Sequence, residues 1–155
     1  MEFDKAALLN VPPARVWAKM FDLDLARQCI TGMERVELIT PSEYLAQIQV
    51  KLSFISTRFK IRVKITDTRE PVYLRSEGAG EDSTLTSSLK LANEMFLTDK
   101  GDGTTELRMK LKVDLFGRLG AFGLNVFKTK ADRMWQESIA EFASRIPAIE
   151  QRETS

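Results

Sequence analysis

Between residues 43 and 53 apolar and polar positions alternate. Tyr44, Ala46, Ile48, Val50 and Leu52 fall on one side, and Gln47, Gln49 and Lys51 on the other. The same period of two runs through 58–66, where Phe59, Ile61, Val63 and Ile65 oppose Arg58, Lys60, Arg62 and Lys64. It returns in 105–114, where Thr105, Leu107, Met109, Leu111 and Val113 oppose Glu106, Arg108, Lys110, Lys112 and Asp114. One apolar side and one charged side at this period predict antiparallel strands with one face in a core and one in water. Strands also fit 2–9, 33–40, 72–80 and 84–98, for about seven in all. "KGDGTT" between the last two runs predicts a hairpin turn at Asp102-Gly103.

Helical signals sit at two places. "VPPARVWAKMFD" predicts a short helix with Pro13 in its first turn. "LDLARQCITGM" predicts a second that stops at Gly32. From about 117 to 146 the period becomes helical, and Leu124, Phe127, Ala131, Met134, Trp135, Ser138, Phe142 and Ile146 fall in one arc. The order is a strand, two short helices, a six-stranded meander and one long helix. The economical packing is an α+β helix-grip, with the long helix across the concave face of a curved seven-stranded antiparallel sheet. One domain over 1–148 and a short tail over 149–155 are expected.

Composition narrows the chemistry. Hydrophobic residues make up 43% and charged residues 29%, with net charge +1, so no global field draws the chain to nucleic acid. There is no histidine, which excludes histidine triads, dyads and metal sites. With a single cysteine, Cys29, thiolate clusters and internal disulfides are excluded too. No metal, no cofactor and no catalytic residue is expected. An enzyme here would work with carboxylates, lysine or tyrosine, and the strand alternation turns most charged groups outward. The start "MEFDKAALLN" lacks the pattern of a secretory leader, and no apolar run of membrane-spanning length occurs.

The candidate site is the space between helix and sheet. Ile48, Val50, Leu89, Leu91, Met109 and Leu111 would line it from the sheet. Phe127 and Met134 would line it from the helix. Among these apolar positions stand Ser76, Gly78, Ser87 and Asn93, either ligand contacts or groups satisfied by backbone or ordered water. Gly117, Gly120 and Gly123 recur in "DLFGRLGAFGLNVF" on the buried arc. They read as close helix–sheet packing or as a void under the first turns, with irregular backbone as a third possibility. Leu119, Phe122 and Val126 lie on the opposite side of the wheel and read as a portal or docking patch, or as a stripe covered by the short helices. Cys29 reads as a buried small hydrophobe, since no base stands ready to ionise it. Glu81-Asp82 reads as a turn. The row Lys60, Arg62, Lys64 reads as a solvated strand face, or as one that meets acidic headgroups or an acidic partner.

Two segments carry a resemblance. "FDLDLARQCITGMERVEL" resembles the signature of the carbon monoxide dehydrogenase G-subunit family, through Asp22, Leu25, Ala26, Cys29, Ile30 and Gly32. Thr31 stands where that family usually has proline. "VDLFGRLGAFG" resembles the family's later glycine segment through Val113, Gly117, Leu119 and Gly123, and "EGAG" at 77–80 its glycine-rich strand end. The family is part of the START/Bet v1-like (SRPBCC, polyketide cyclase-like) helix-grip superfamily. The resemblance implies non-enzymatic binding of a hydrophobic small molecule, such as a lipid, isoprenoid or quinone-like compound. It implies service to the maturation or membrane recruitment of a molybdenum-type oxidoreductase such as carbon monoxide dehydrogenase. Implied partners are the apolar ligand, that oxidoreductase or the membrane surface, with no nucleic acid. A cytoplasmic location, or a peripheral one at the inner face of the membrane, follows. The alternatives are a cyclase- or hydratase-like enzyme using the same cavity, and an adaptor without ligand.

Overall fold

The computed structural model describes residues 1–52, 55–82, 86–121 and 124–154, with side chains through residue 146. The chain runs β1 (Glu2–Leu9), α1 (Pro13–Met20), α2 (Leu23–Cys29), β2 (Met33–Thr40), β3 (Glu43–Leu52), β4 (Ile55–Arg69) and β5 (Tyr73–Asp82). It continues through β6 (Ser87–Asp99), β7 (Thr105–Gly117), α3 (Arg118–Ala121) and α4 (Leu124–Thr154). The strands form one seven-stranded sheet in the order β1-β7-β6-β5-β4-β3-β2, every pairing antiparallel. From β2 onward each strand pairs with the next, as short hairpins dictate. The one long crossing is from β1 to β2, and α1 and α2 carry it from one edge to the other.

The alternation read from the sequence sets which side faces α4. Across the sheet Ile48 lies opposite Phe59, Ile61 opposite Gly80, Gly80 opposite Leu89, and Leu89 opposite Leu115. That inner face packs into two clusters rather than one. At one end Phe3, Val50, Leu52, Phe59, Leu89, Val113 and Leu119 meet, with Phe127 and Ala131 of α4 against them. At the other end Leu9, Val11, Val16, Trp17, Leu74, Leu97, Leu107 and Ile146 meet, with Trp135, Ile139 and Phe142 against them. The fold is therefore the expected helix-grip, and α1 closes its second end. The hairpin at Asp102 also forms as expected. Gly101 and Gly103 both take φ of +85°, and Asp102 accepts from the backbone N–H of Thr104 at 3.1 Å.

The structure departs from the sequence reading at the start of the long helix. β7 runs on to Gly117, which ends a strand and does not open a helix. Its φ is +81°, a left-handed backbone that glycine alone adopts freely. A methyl group there would also collide with the Thr86 carbonyl oxygen. The chain turns sharply into the single turn of α3, and α4 begins at Leu124. Gly120 packs its bare α-carbon on β7, where a side chain would meet the Leu115 carbonyl at 2.9 Å. Close packing, not a void, is therefore the role of Gly120, and it leaves the cavity list. Gly123 and Phe122 lie outside the described residues. α4 itself continues to Thr154, past the expected start of a tail. Replacing Gly120 by alanine forces this turn off β7 and costs about 1–3 kcal/mol in urea unfolding. A loss below measurement error would show that the contact relaxes freely.

Candidate functional site

The middle of the inner face behaves unlike its ends. Ile48, Val63, Leu91, Asn93, Met109 and Leu111 all point toward α4 by register, yet each is only half-buried. The ends are sealed, with Phe59 at 0% and Leu9 at 1% exposure. α4 matches this pattern. Phe127, Ala131 and Met134 are half-buried, and among the described side chains of α4 only Ile146 is fully buried. A helix in close contact with a sheet would exclude water from both surfaces. The facing side chains of α4 and of the central strands are thus less shielded from water than those at the ends. Of the expected lining, Ile48, Leu91, Met109, Leu111, Phe127 and Met134 are half-buried, whereas Val50 and Leu89 are fully buried. Gly78 lies on the same face, where an added methyl would press on the Leu91 side chain at 3.0 Å.

The polar candidates separate. Ser76 is buried and lies opposite Asn93 across the β5–β6 pairing. Asn93 keeps its side-chain Oδ1 buried with no hydrogen-bond partner among the described residues. Such an orphan costs about 1–3 kcal/mol. Ser87 has a structural task instead, because its Oγ accepts the Leu119 backbone N–H at 2.9 Å and so ties α3 to β6. Cys29 is buried, and desolvation raises its thiol pKa above the ordinary value, so it is no reactive thiolate.

Two polar positions escaped the sequence reading, and a third was assigned to the wrong element. Lys5 of β1 shares a face with Phe3, Ala7 and Leu9 and reaches Asp132 of α4 at 2.9 Å, an ion pair between sheet and helix. The alternation of β1 carried this signal. Thr57, opposite Val50, is 1% exposed and its Oγ1 has no hydrogen-bond partner among the described residues. It was missed because β4 begins before residue 58. Asp82 is a strand residue, not a turn residue, and is 2% exposed.

The surface patch is also rearranged. Leu119 is not at a portal; it is 2% exposed and plugs the core. Val126 is exposed, which fits a surface patch and not a covered stripe, and Phe116 and Leu124 are exposed with it, Leu124 against its expected place on the buried arc. Among the described residues no cluster could hold a metal ion, and no helix is long and apolar enough to cross a membrane.

The family model of the carbon monoxide dehydrogenase G-subunit (CoxG) matches residues 8–147. The chain belongs to the CoxG family. No curated protein matches it in sequence at a significant level. Solved structures resemble this CoxG-family chain in fold. A conserved protein from Geobacillus kaustophilus superposes with a TM-score of 0.86 at 20% identity, over 96% of each chain. A START superfamily protein from Mycobacterium smegmatis gives 0.70 at 13% identity, over 96% of this chain and 98% of that one. The Zhui aromatase/cyclase from a Streptomyces species gives 0.69 at 9% identity, over 95% and 93%.

The residues that resemble the CoxG signature build a corner, not a pocket. Asp22 caps α2 by accepting the Leu25 N–H at 3.1 Å. Leu25 and Cys29 are buried beneath it. Gly32 has φ of +84° and lies directly on the Gln49 carbonyl of β3. Thr31, in place of the usual proline, donates its N–H to Ser138 Oγ at 3.2 Å and its hydroxyl to Glu137 at 3.0 Å. Proline offers neither donor. Arg145 adds a bond to Gln28 at 2.6 Å, so α2 and the turn after it are stitched to α4.

Proposed function

We propose that this CoxG-family protein holds a hydrophobic small molecule between the central strands and α4, without chemical conversion. The lipid, isoprenoid or quinone-like class suits a lining of Ile48, Leu91, Met109, Leu111, Phe127 and Met134. The observation that carries the reading is the apolar middle of the inner face, half-buried beneath α4 while the sheet is sealed at both ends. Burial of that surface would drive binding at roughly 25 cal/mol per Å² before ordering costs. The orphan Oδ1 of Asn93 supports a ligand with one hydroxyl or N–H group, which would supply the missing donor. Family membership supports, as the client, a carbon monoxide dehydrogenase-type oxidoreductase. Organic-solvent extraction of natively purified protein, read by mass spectrometry beside its native mass, yields a stoichiometric apolar compound. Protein that carries none, and takes up none from a lipid and quinone extract, sinks the reading.

One observation favours a second reading, an enzyme of the cyclase or hydratase kind. Lys5 points inward and is paired with Asp132 at the edge of the same space. A carrier releases its ligand unchanged, and Lys5→Met leaves that ligand's identity the same. A product in the extract that disappears in Lys5→Met would decide for the enzyme.

A further inference from the structure

The outer face of the sheet, opposite α4, holds a groove of about 1030 Å³. Leu45, Arg58, Lys60, Arg62, Ala79 and Lys90 are among its lining residues. Ala79 is the centre of the arrangement. Arg62 is its direct partner on β4 and Lys90 its direct partner on β6. Two strand spacings, roughly 10 Å, separate the backbones of these two cations. The short methyl of Ala79 between them leaves room for an anionic group that both side chains can reach. Lys60 stands two residues from Arg62 on the same face, a further roughly 6.6 Å along the strand.

These charges are available. Elsewhere on this face arginines are engaged: Arg58 with Glu34 at 2.8 Å, Arg75 with Glu77 at 3.5 Å and Arg108 with Asp4 at 2.8 Å. Arg69 lies over the Tyr73 ring. Arg62 alone among them has no partner of either kind among the described residues. The reason is in the register, because its neighbours on both sides, Leu45 and Ala79, are apolar. We infer that the groove docks an extended acidic segment of a partner protein, with carboxylates at alternate residues meeting Lys60 and Arg62. Lys90 closes on one of these carboxylates from the far side. Charge complementarity selects the occupant. The apolar Leu45 and Ala79 suit an apolar residue between the acids. Glu81, which faces Lys60 across the β4–β5 pairing and also lines the groove, repels a continuous phosphate backbone and limits the length of the acidic stretch. The inference is independent of ligand binding on the inner face.

The test uses the full chain and a fluorescent peptide, acetyl-Gly-Glu-Leu-Glu-Leu-Glu-Gly, with a glutamine-for-glutamate version as comparator. Anisotropy shows saturable binding of the glutamate peptide, weakened by salt. NMR shifts cluster at Arg62, Ala79 and Lys90. The double variant Arg62→Ser/Lys90→Ser weakens binding by about 10-fold or more, whereas Arg75→Ser, outside the groove and paired with Glu77, changes it less than 2-fold. These three variant positions are exposed, so circular dichroism confirms folding in each case. The inference is overturned by equal binding of the glutamine peptide, by unchanged binding in the double variant, or by no saturable binding. It is equally overturned if phosphatidylglycerol vesicles engage the same residues while the peptide does not.

Discussion

Gly117→Ala destabilises the protein by about 3 kcal/mol or more, while Gly101→Ala costs only about 1–2 kcal/mol. The two glycines share nearly the same backbone, with φ of +81° and +85°. An alanine at either position pays the strain of the left-handed conformation. They differ in what surrounds them. Nothing lies within 4 Å of a methyl added at Gly101, whereas one at Gly117 runs into the Thr86 carbonyl and comes within 3.1 Å of the Ser87 α-carbon. Both obstacles are backbone and cannot swing aside. Moving them would also disturb the Ser87–Leu119 hydrogen bond and pull Leu119 from the core. Urea unfolding with a common slope measures both variants. Equal losses would mean that strain alone acts and that the junction of β7 and α3 is soft.

Asn93→Leu has opposite effects on stability and on loading. The ligand-free protein gains about 1 kcal/mol, because a buried acceptor without a partner is replaced by an apolar group. The half-buried surroundings of Asn93 take the extra carbon atoms without overpacking. Loading with the extracted ligand falls about 10-fold, because the hydrogen bond to the ligand's donor is lost. Few changes stabilise a protein and weaken its function together, so the sign pattern is diagnostic. Loss of stability would show that Asn93 has a structural partner. Unchanged loading would remove it from the binding site while leaving the apolar wall in place.

Much of the architecture follows from local chemistry, which is why it could be read from the chain. Strand alternation around Ile48, Phe59 and Met109 needs only the two-residue period to assign faces, and the sheet respects it. The arc through Phe127, Met134 and Phe142 marks the helix that covers those faces. The turn at Asp102 and the cap at Asp22 depend on residues within three positions of each other. The corner residues from Asp22 to Gly32, together with the glycine segment, pointed to the family whose model matches residues 8–147.

The candidate site was legible in part. Its apolar wall came from alternation, and so did Asn93. Leu119 was misplaced because a helical wheel assumes one continuous helix, and the backbone at Gly117 breaks it. Ser87 and Asn93 look alike in sequence, both polar among leucines. Only the fold brings the Leu119 N–H to Ser87 and leaves Asn93 without a partner. Lys5 needed Asp132, more than a hundred residues away, before its inward direction made sense.

The sequence by itself determined the elements, their order, the side each strand turns to the helix and the absence of histidine chemistry. Those are consequences of periodicity and composition, which act over a few residues. Tertiary structure alone decided which polar groups are satisfied, which glycine closes a contact, and that Arg62 faces Leu45 and Ala79 instead of a carboxylate. Those depend on strand register and on the distance between α4 and the sheet. Both are set by the packing of residues far apart in the chain.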